Sequence, residues 1–235
     1  MTESTGDTNA NKRAWDELYR DTPGSVWGSQ PIPFVAEFLA DIESDLSSES
    51  RLLDAAAGEG RHVPVLLRSP GIVFACDASS HALEKIAQFN GSVQRHQCDL
   101  AETPFADDFF DFISLIDTIE TLPNPDASLD EMHRILKPGG LLLCNIPGKE
   151  DNIAEVAMQP VGANEAAASY LYQGTYSYRF YEETEALSLV KSCGFEVQRN
   201  EIRHWEEEAH PGFREYAHEH TSRVLLLRKP MTVST

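Results

Sequence analysis

The chain has 235 residues, enough for one domain with a full core and no need of disulfide or metal staples. Its 38 acidic residues against 19 Lys and Arg leave a net charge of -19, which repels phosphate backbones and argues against nucleic acid as a partner. No stretch reaches the roughly 18 apolar residues of a membrane span, and MTESTGDTNANKR lacks the apolar run of a signal peptide, so a cytoplasmic protein with no membrane partner is expected.

Few lysines beside many acids also suit a halophilic-like surface working at high salt, where charge is screened over a few Å. Cys76, Cys98, Cys144 and Cys193 lie far apart in apolar segments without CxxC spacing and read as reduced core residues. Residues 1–11 read as a disordered polar tail. In NKRAWDELYR, Ala14, Trp15, Leu18 and Tyr19 fall at helical spacing, and PIPFVAEFLADI opens on proline and carries an apolar stripe, as a second helix should.

From Arg51 onward, short apolar runs (RLLDA, GIVFACD, SVQRHQCD, FDFISLID, GGLLLCNIP) alternate with helix-like RHVPVLLRS, SSHALEKIAQF, DASLDEMHRILK and EETEALSLVKSC, the last stopped by Gly194. This predicts an α/β, doubly wound, mostly parallel sheet with helices on both faces. The chain ends differently: FEVQRNEIRHW and SRVLLLRK lack a crossover helix between them and should pair antiparallel around an unusually long loop.

LLDAAAGEGRHV is a strand running into a glycine turn and a helix, the place where a doubly wound sheet docks a nucleotide-like ligand, with Gly58 and Gly60 allowing close backbone approach. VFACDAS puts Asp77 at the end of the next strand, where a carboxylate can accept from both hydroxyls of a ribose. HQCDLAETPF puts Asp99 at the end of the third, able to accept from an adenine amino group while Leu100 packs nearby. A dinucleotide is the rival ligand, but its fingerprint wants a third glycine where Val63 stands.

The order DAAAGEG, CDAS, CDLAETPFADDFFDFISLIDTIETL and LKPGGLLLCNIPG resembles the class I S-adenosylmethionine-dependent methyltransferases, over residues 51–205 and the final strand. The resemblance implies a Rossmann-like seven-stranded mixed sheet with an antiparallel last strand, a methyltransferase domain over residues 51–235, and S-adenosylmethionine as cofactor, S-adenosylhomocysteine as product. By position it implies cofactor contacts from Asp54, Ala56, Gly58 and Gly60, from Asp77 and Ala78, from Asp99 and Leu100, and from Ile116 and Asp117. Ala56 stands where the family has its first glycine. KPGG, residues 137–140, would be the turn into the fifth strand. DTIETLPNP in place of the N/D-P-P-[YF] signature of DNA-amine methyltransferases favours a small-molecule acceptor.

The leading segment, residues 12–50, resembles the helical lid of small-molecule methyltransferases, including the tellurite-resistance and thiol groups, with Tyr19 and Trp27 able to face the sulfonium through roughly 0.5–2 kcal/mol of cation–π attraction. A soft or anionic acceptor needs no base, whereas a quinone or aromatic hydroxyl would use one. A non-catalytic nucleoside-binding module is the alternative outside catalysis. The tyrosine-rich connection after strand five exceeds the usual length and is expected to shape the acceptor pocket.

Four of the eight histidines lie in HWEEEAHPGFREYAHEHTS, residues 204–222, between the last two strands and therefore beside the methyl-transfer edge. His218 and His220 are two apart, on one face of an extended segment, and His210 and His204 could converge with them. HEH resembles the HLH segment of the tellurite-resistance group. His210, His218 and His220 are therefore candidate catalytic or acceptor-contacting residues. A three-histidine zinc site is chemically reasonable, but the spacing assigns no metal. Glu206 to Glu208 read as a solvated acidic run.

Overall fold

A computed structural model describes residues 8–89, 91–149, 151, 158–160, 168–210 and 212–231. Ten strands are present among them: β1 Arg51–Ala55, β2 Ile72–Asp77, β3 Val93–Gln97, β4 Phe110–Leu115, β5 Leu136–Pro147, β6 Met158–Pro160, β7 Ala168–Tyr172, β8 Tyr176–Phe180, β9 Glu196–Glu207 and β10 His218–Arg228. The helices are α1 Thr8–Asp21, α2 Pro33–Ile42, α3 Val63–Leu66, α4 Ser80–Lys85, α5 Pro125–Ile135 and α6 Glu183–Ser192. No helix among the described residues is long and apolar enough to cross a membrane.

Seven strands form one sheet in the order β3-β2-β1-β4-β5-β10-β9, with β10 antiparallel to both of its neighbours and the other pairings parallel. This is the doubly wound mixed sheet expected. Strand alternation sorts its side chains into two cores. Leu53, Ile113, Leu142 and Leu225 pack against α5 and α6 through Met132, Ile135 and Val190. Leu52, Phe112, Leu143 and Val224 face the opposite way, onto Phe38, Leu39 and Leu66 of α2 and α3. Cys76, Cys144 and Cys193 are buried and free, and Cys98 is free and half-buried.

Several expected elements come out differently. The segment RHVPVLLRS holds only the short α3, because Pro64 is tolerated only in a first turn and Pro70 disfavours helical backbone at Ser69. α1 begins at Thr8, ahead of the expected start near Asn11, while residues 1–7 lie outside the described residues. KPGG is not a separate turn: β5 already begins at Leu136 and pairs across a register shift, with Gly139 at φ +83° donating to the Lys229 carbonyl. Part of the connection after β5 lies outside the described residues, but its tyrosines are not loop. They form the hairpin β7–β8, joined by β6 into a three-stranded antiparallel sheet.

The terminal hairpin is longer than predicted. β9 runs to Glu207 and β10 starts at His218, pairing His218 with Glu207 and His220 with Trp205. HEH therefore lies within a strand, and only residues 208–217 connect the two.

Candidate active site

The carboxyl ends of β1 to β4 meet at a cavity of about 280 Å³, near the lower end of the size of small-molecule clefts. Ala56, Gly58, Asp77, Ala78, Asp99, Leu100, Ile116 and Asp117 all line it. Topology brings them together: each follows a parallel strand, and the crevice beyond those strand ends is where such sheets bind ligands. Asp54 and Gly60 are not on the wall. Asp54 is buried in β1, accepting from Ser114 Oγ at 2.8 Å, and burial pushes its carboxyl up to about 7. Gly60, at φ +82°, packs beneath the turn on Ile86 and Phe89.

Asp77 organises the glycine turn. Its Oδ2 accepts from the Gly58 N–H at 2.9 Å and its Oδ1 from the Ser79 N–H at 2.8 Å. Burial raises this carboxyl above the usual range, and those two backbone donors work against the rise. A carboxylate has about four acceptor positions, so two remain for a ligand. Asp99 accepts from the Ala101 N–H at 3.0 Å and pairs with Lys12 of α1. Burial opposes its charge, but the Ala101 N–H and Lys12 together hold it below the ordinary value. At the β4 exit, Asp117 (φ +48°) is locked to Asn145 by two bonds, of 2.8 and 2.6 Å.

The N-terminal segment covers this floor. Tyr19 and Trp27 both line the cavity, with Trp27 Nε1 donating to Tyr19 Oη at 2.8 Å. A Cβ on Gly58 would lie 2.8 Å from that same hydroxyl, so glycine is required there by Tyr19 as well as by its φ of +52°. Trp15, Trp27, Tyr172, Tyr176 and the fully buried Phe213 form a separate aromatic core joining α1, the small sheet and the terminal hairpin.

The hairpin supplies the opposite wall. Trp205, Glu207, His210, Arg214 and His220 line the cavity, while His218 stands behind them with its Nε2 3.0 Å from His220 Nε2. His204 does not converge: it alternates to the outer face of β9 and bonds Thr221 Oγ1 at 2.9 Å. Nor is the acidic run uniformly solvated. Glu206 and Glu208 are exposed, but Glu207 is buried, bonded to Trp205 Nε1 at 3.0 Å and ion-paired with Arg61 at 2.8 Å and His210 at 2.7 Å. The two-residue period from Trp205 puts Glu207 on the inward face.

Three cavity residues were invisible in the sequence. Asn145 is an interior β5 residue. Glu120 is buried with Oε2 unpartnered, and burial together with nearby Asp117 pushes its carboxyl well above the usual range. Arg214 is 3% exposed, its guanidinium over the Tyr172 and Phe213 rings, and among the described residues no carboxylate pairs with it.

Residues 53–144 match a family model described as a methyltransferase domain. The chain is 29% identical over 148 residues to the ubiquinone biosynthesis O-methyltransferase of Xylella fastidiosa, aligning 63% of this chain with 57% of that one. It is also 29% identical over 166 residues to the demethylmenaquinone methyltransferase of Clavibacter sepedonicus, with 67% and 60% aligned. It thus spans about three fifths of the length of these curated relatives. Among solved structures, the Burkholderia thailandensis 1,6-didemethyltoxoflavin-N1-methyltransferase with bound 1,6-didemethyltoxoflavin and S-adenosylhomocysteine matches with a TM-score of 0.65 at 17% identity, over 94% of this chain and 88% of that one. With its β3-β2-β1-β4-β5-β10-β9 sheet and reversed last strand, the chain has the fold of the class I S-adenosylmethionine-dependent methyltransferases.

Proposed function

We propose that the chain transfers a methyl group from S-adenosylmethionine to a small anionic or soft acceptor, releasing S-adenosylhomocysteine, with residues 12–50 as a lid on a domain of residues 51–235. The observation that carries this reading is one cavity with two unlike ends: the glycine turn with Asp77 and Asp99 at one, the buried guanidinium of Arg214 at the other. In it Asp77 holds the ribose, Asp99 and Leu100 take the adenine, and the Ala56–Gly58 turn takes the methionine part. Ala78, Ile116 and Asp117 shape the same pocket. Asp54 and Gly60 act from below, and Tyr19 and Trp27 face the sulfonium.

Arg214 offers a guanidinium fork to an anionic group of the acceptor, in a site where burial disfavours the charged form of the neighbouring Glu120. Transfer is an in-line displacement in which the acceptor's electron pair forms a bond to the methyl carbon and the carbon–sulfur pair returns to sulfur. Alignment contributes up to roughly 7–11 kcal/mol. A thiolate or other anion requires no base. For a neutral acceptor, His210 and His220 on the wall are the groups able to take the proton, with His218 behind His220.

A second reading, methylation of a quinone or aromatic hydroxyl, is favoured by the rings of Tyr178, Phe180, Trp205 and Phe213 along the cavity and by the names of the two relatives above. Calorimetry with S-adenosylmethionine and S-adenosylhomocysteine tests both, and binding of neither would leave no enzyme reading. Asp77→Ala is expected to weaken cofactor binding about 100-fold through two lost charge-assisted hydrogen bonds. A panel of thiols, selenite, tellurite, carboxylated phenols and neutral quinols then separates the acceptors. Arg214→Ala should raise the KM of an anionic acceptor at least tenfold (about 1.4 kcal/mol) while cofactor affinity holds; an unchanged KM favours the neutral acceptor.

A further inference from the structure

We propose that Glu207, His210, His218 and His220 form a binding site for one divalent transition-metal ion of the zinc type at the hairpin end of the cavity. One donor atom from each of Glu207, His210 and His218 lies within 4.8 Å of the others, and His220 Nε2 is 3.0 Å from His218 Nε2. The set differs from a three-histidine spacing motif: Glu207 takes the place that His204, on the outer face, cannot fill.

The partners outside the cluster decide where the lone pairs point. His218 Nδ1 lies 3.1 Å from the Tyr216 carbonyl oxygen, which only accepts, so the ring hydrogen sits on Nδ1 and Nε2 is bare. His220 Nδ1 faces the Asp151 carboxylate at 3.5 Å, which likewise favours hydrogen on Nδ1 and leaves Nε2 bare. Two bare Nε2 atoms 3.0 Å apart repel each other unless a cation lies between them or beside them. On Glu207, Oε1 is held by Arg61 at 2.8 Å and Trp205 Nε1 at 3.0 Å, which turns Oε2 toward His210 Nε2 at 2.7 Å; the proton shared by that pair is the one a bound metal displaces. Ligating side chains whose far atoms are bonded to a carbonyl, a carboxylate or an indole are the usual surroundings of a metal centre.

Imidazole with one carboxylate suits zinc, cobalt or nickel rather than calcium or magnesium. Donors at about 2.0–2.1 Å from a tetrahedral zinc are about 3.3 Å apart, so Glu207, His210 and His218, within 4.8 Å of one another, must close by at most about 1.5 Å, within the reach of side-chain rotation. Glu207, His210 and His220 open onto the cavity. Resting on the methyl-transfer reading, an acceptor hydroxyl or thiol entering as a fifth ligand from the cavity would lose its proton to water at neutral pH and attack as the anion.

Metal binding is read without cofactor or acceptor, so its failure is separable from failure of methyl transfer. The metal-stripped full chain is titrated with zinc by calorimetry and with cobalt(II) by visible absorption. The expected result is one equivalent per chain with the intense band of four-coordinate cobalt, weakened at least 100-fold in His218→Ala and unchanged in His204→Ala. Should circular dichroism show that His218→Ala does not fold, Glu207→Gln takes its place. No binding, a six-coordinate spectrum, or equal binding by the two histidine variants overturns the proposal.

Discussion

Ala56 has φ +53°, a left-handed conformation that costs a residue bearing a Cβ about 1–2 kcal/mol. Glycine would relieve that strain, against about 0.4–1 kcal/mol from a freer unfolded chain and a small loss of packing on the core below. Ala56→Gly is expected to stabilise the fold by about 0.5 kcal/mol, read as a higher urea midpoint at unchanged slope, with cofactor affinity held. A lower midpoint would mean that the methyl's packing outweighs the strain. Single residues were legible where a strand-end position and a side-chain type coincide, as at Asp77 and Asp99. Arg214 and Glu120 were not, because nothing local distinguishes a buried ionisable side chain from a solvated one. Their significance comes only from the Tyr172 and Phe213 rings over Arg214 and from Asp117 and Asp151 beside Glu120.

At the scale of elements, the attachment of the N-terminal segment depends on one buried acid. Glu59, 6% exposed, accepts from Ser25 Oγ at 2.5 Å and the Val26 N–H at 2.8 Å through Oε2, and from Lys85 at the end of α4 at 2.6 Å through Oε1. Lys85 also donates to the Gly24 carbonyl at 2.7 Å, so turn, loop and helix are tied at one point. Glu59→Ala leaves Lys85 without its carboxylate and is expected to cost about 3 kcal/mol. Amide exchange at residues 22–28 should accelerate more than at β1 or β4; uniform acceleration would mean that this segment is not a separable unit. The main sheet was legible because apolar runs alternate with helical periods. The hairpin's true length was not: Glu206, Glu207 and Glu219 look like loop composition, and only pairing across the hairpin makes Glu207 a buried strand residue. The small sheet was hidden similarly, since its tyrosines bury against α1 and Phe213, a partner about 200 residues from α1 in sequence.

Across the whole molecule, buried ionisable groups act on stability in opposite directions over one pH window. Burial in β1, with Asp77 the charged group facing it, raises Asp54 from 3.8 to about 7. Between those values the folded chain holds a proton that the unfolded chain has released, so this contribution is full below about pH 4 and is lost as pH rises to 7. Asp77, facing Asp16, and Glu120, facing Asp117, Asp151 and Arg214, shift in the same direction. His62 does the reverse: burial, then Arg61, lowers it from 6.5 to about 3 against Glu207, so its contribution is full above pH 6.5 and is lost as pH falls toward 3. His62 offsets Asp54 between about pH 4.5 and 6.5, while Asp77 and Glu120 add a loss of stability as pH rises. Removing one member exposes the slope. Asp54→Asn keeps the shape without the titration, so its stability relative to the parent chain should fall by on the order of 4 kcal/mol from pH 8 to pH 4. Chemical denaturation of both proteins at about 1 M salt, where the net charge of -19 is screened, measures this difference. A difference independent of pH would mean that Asp54 ionises alike in the folded and unfolded chains.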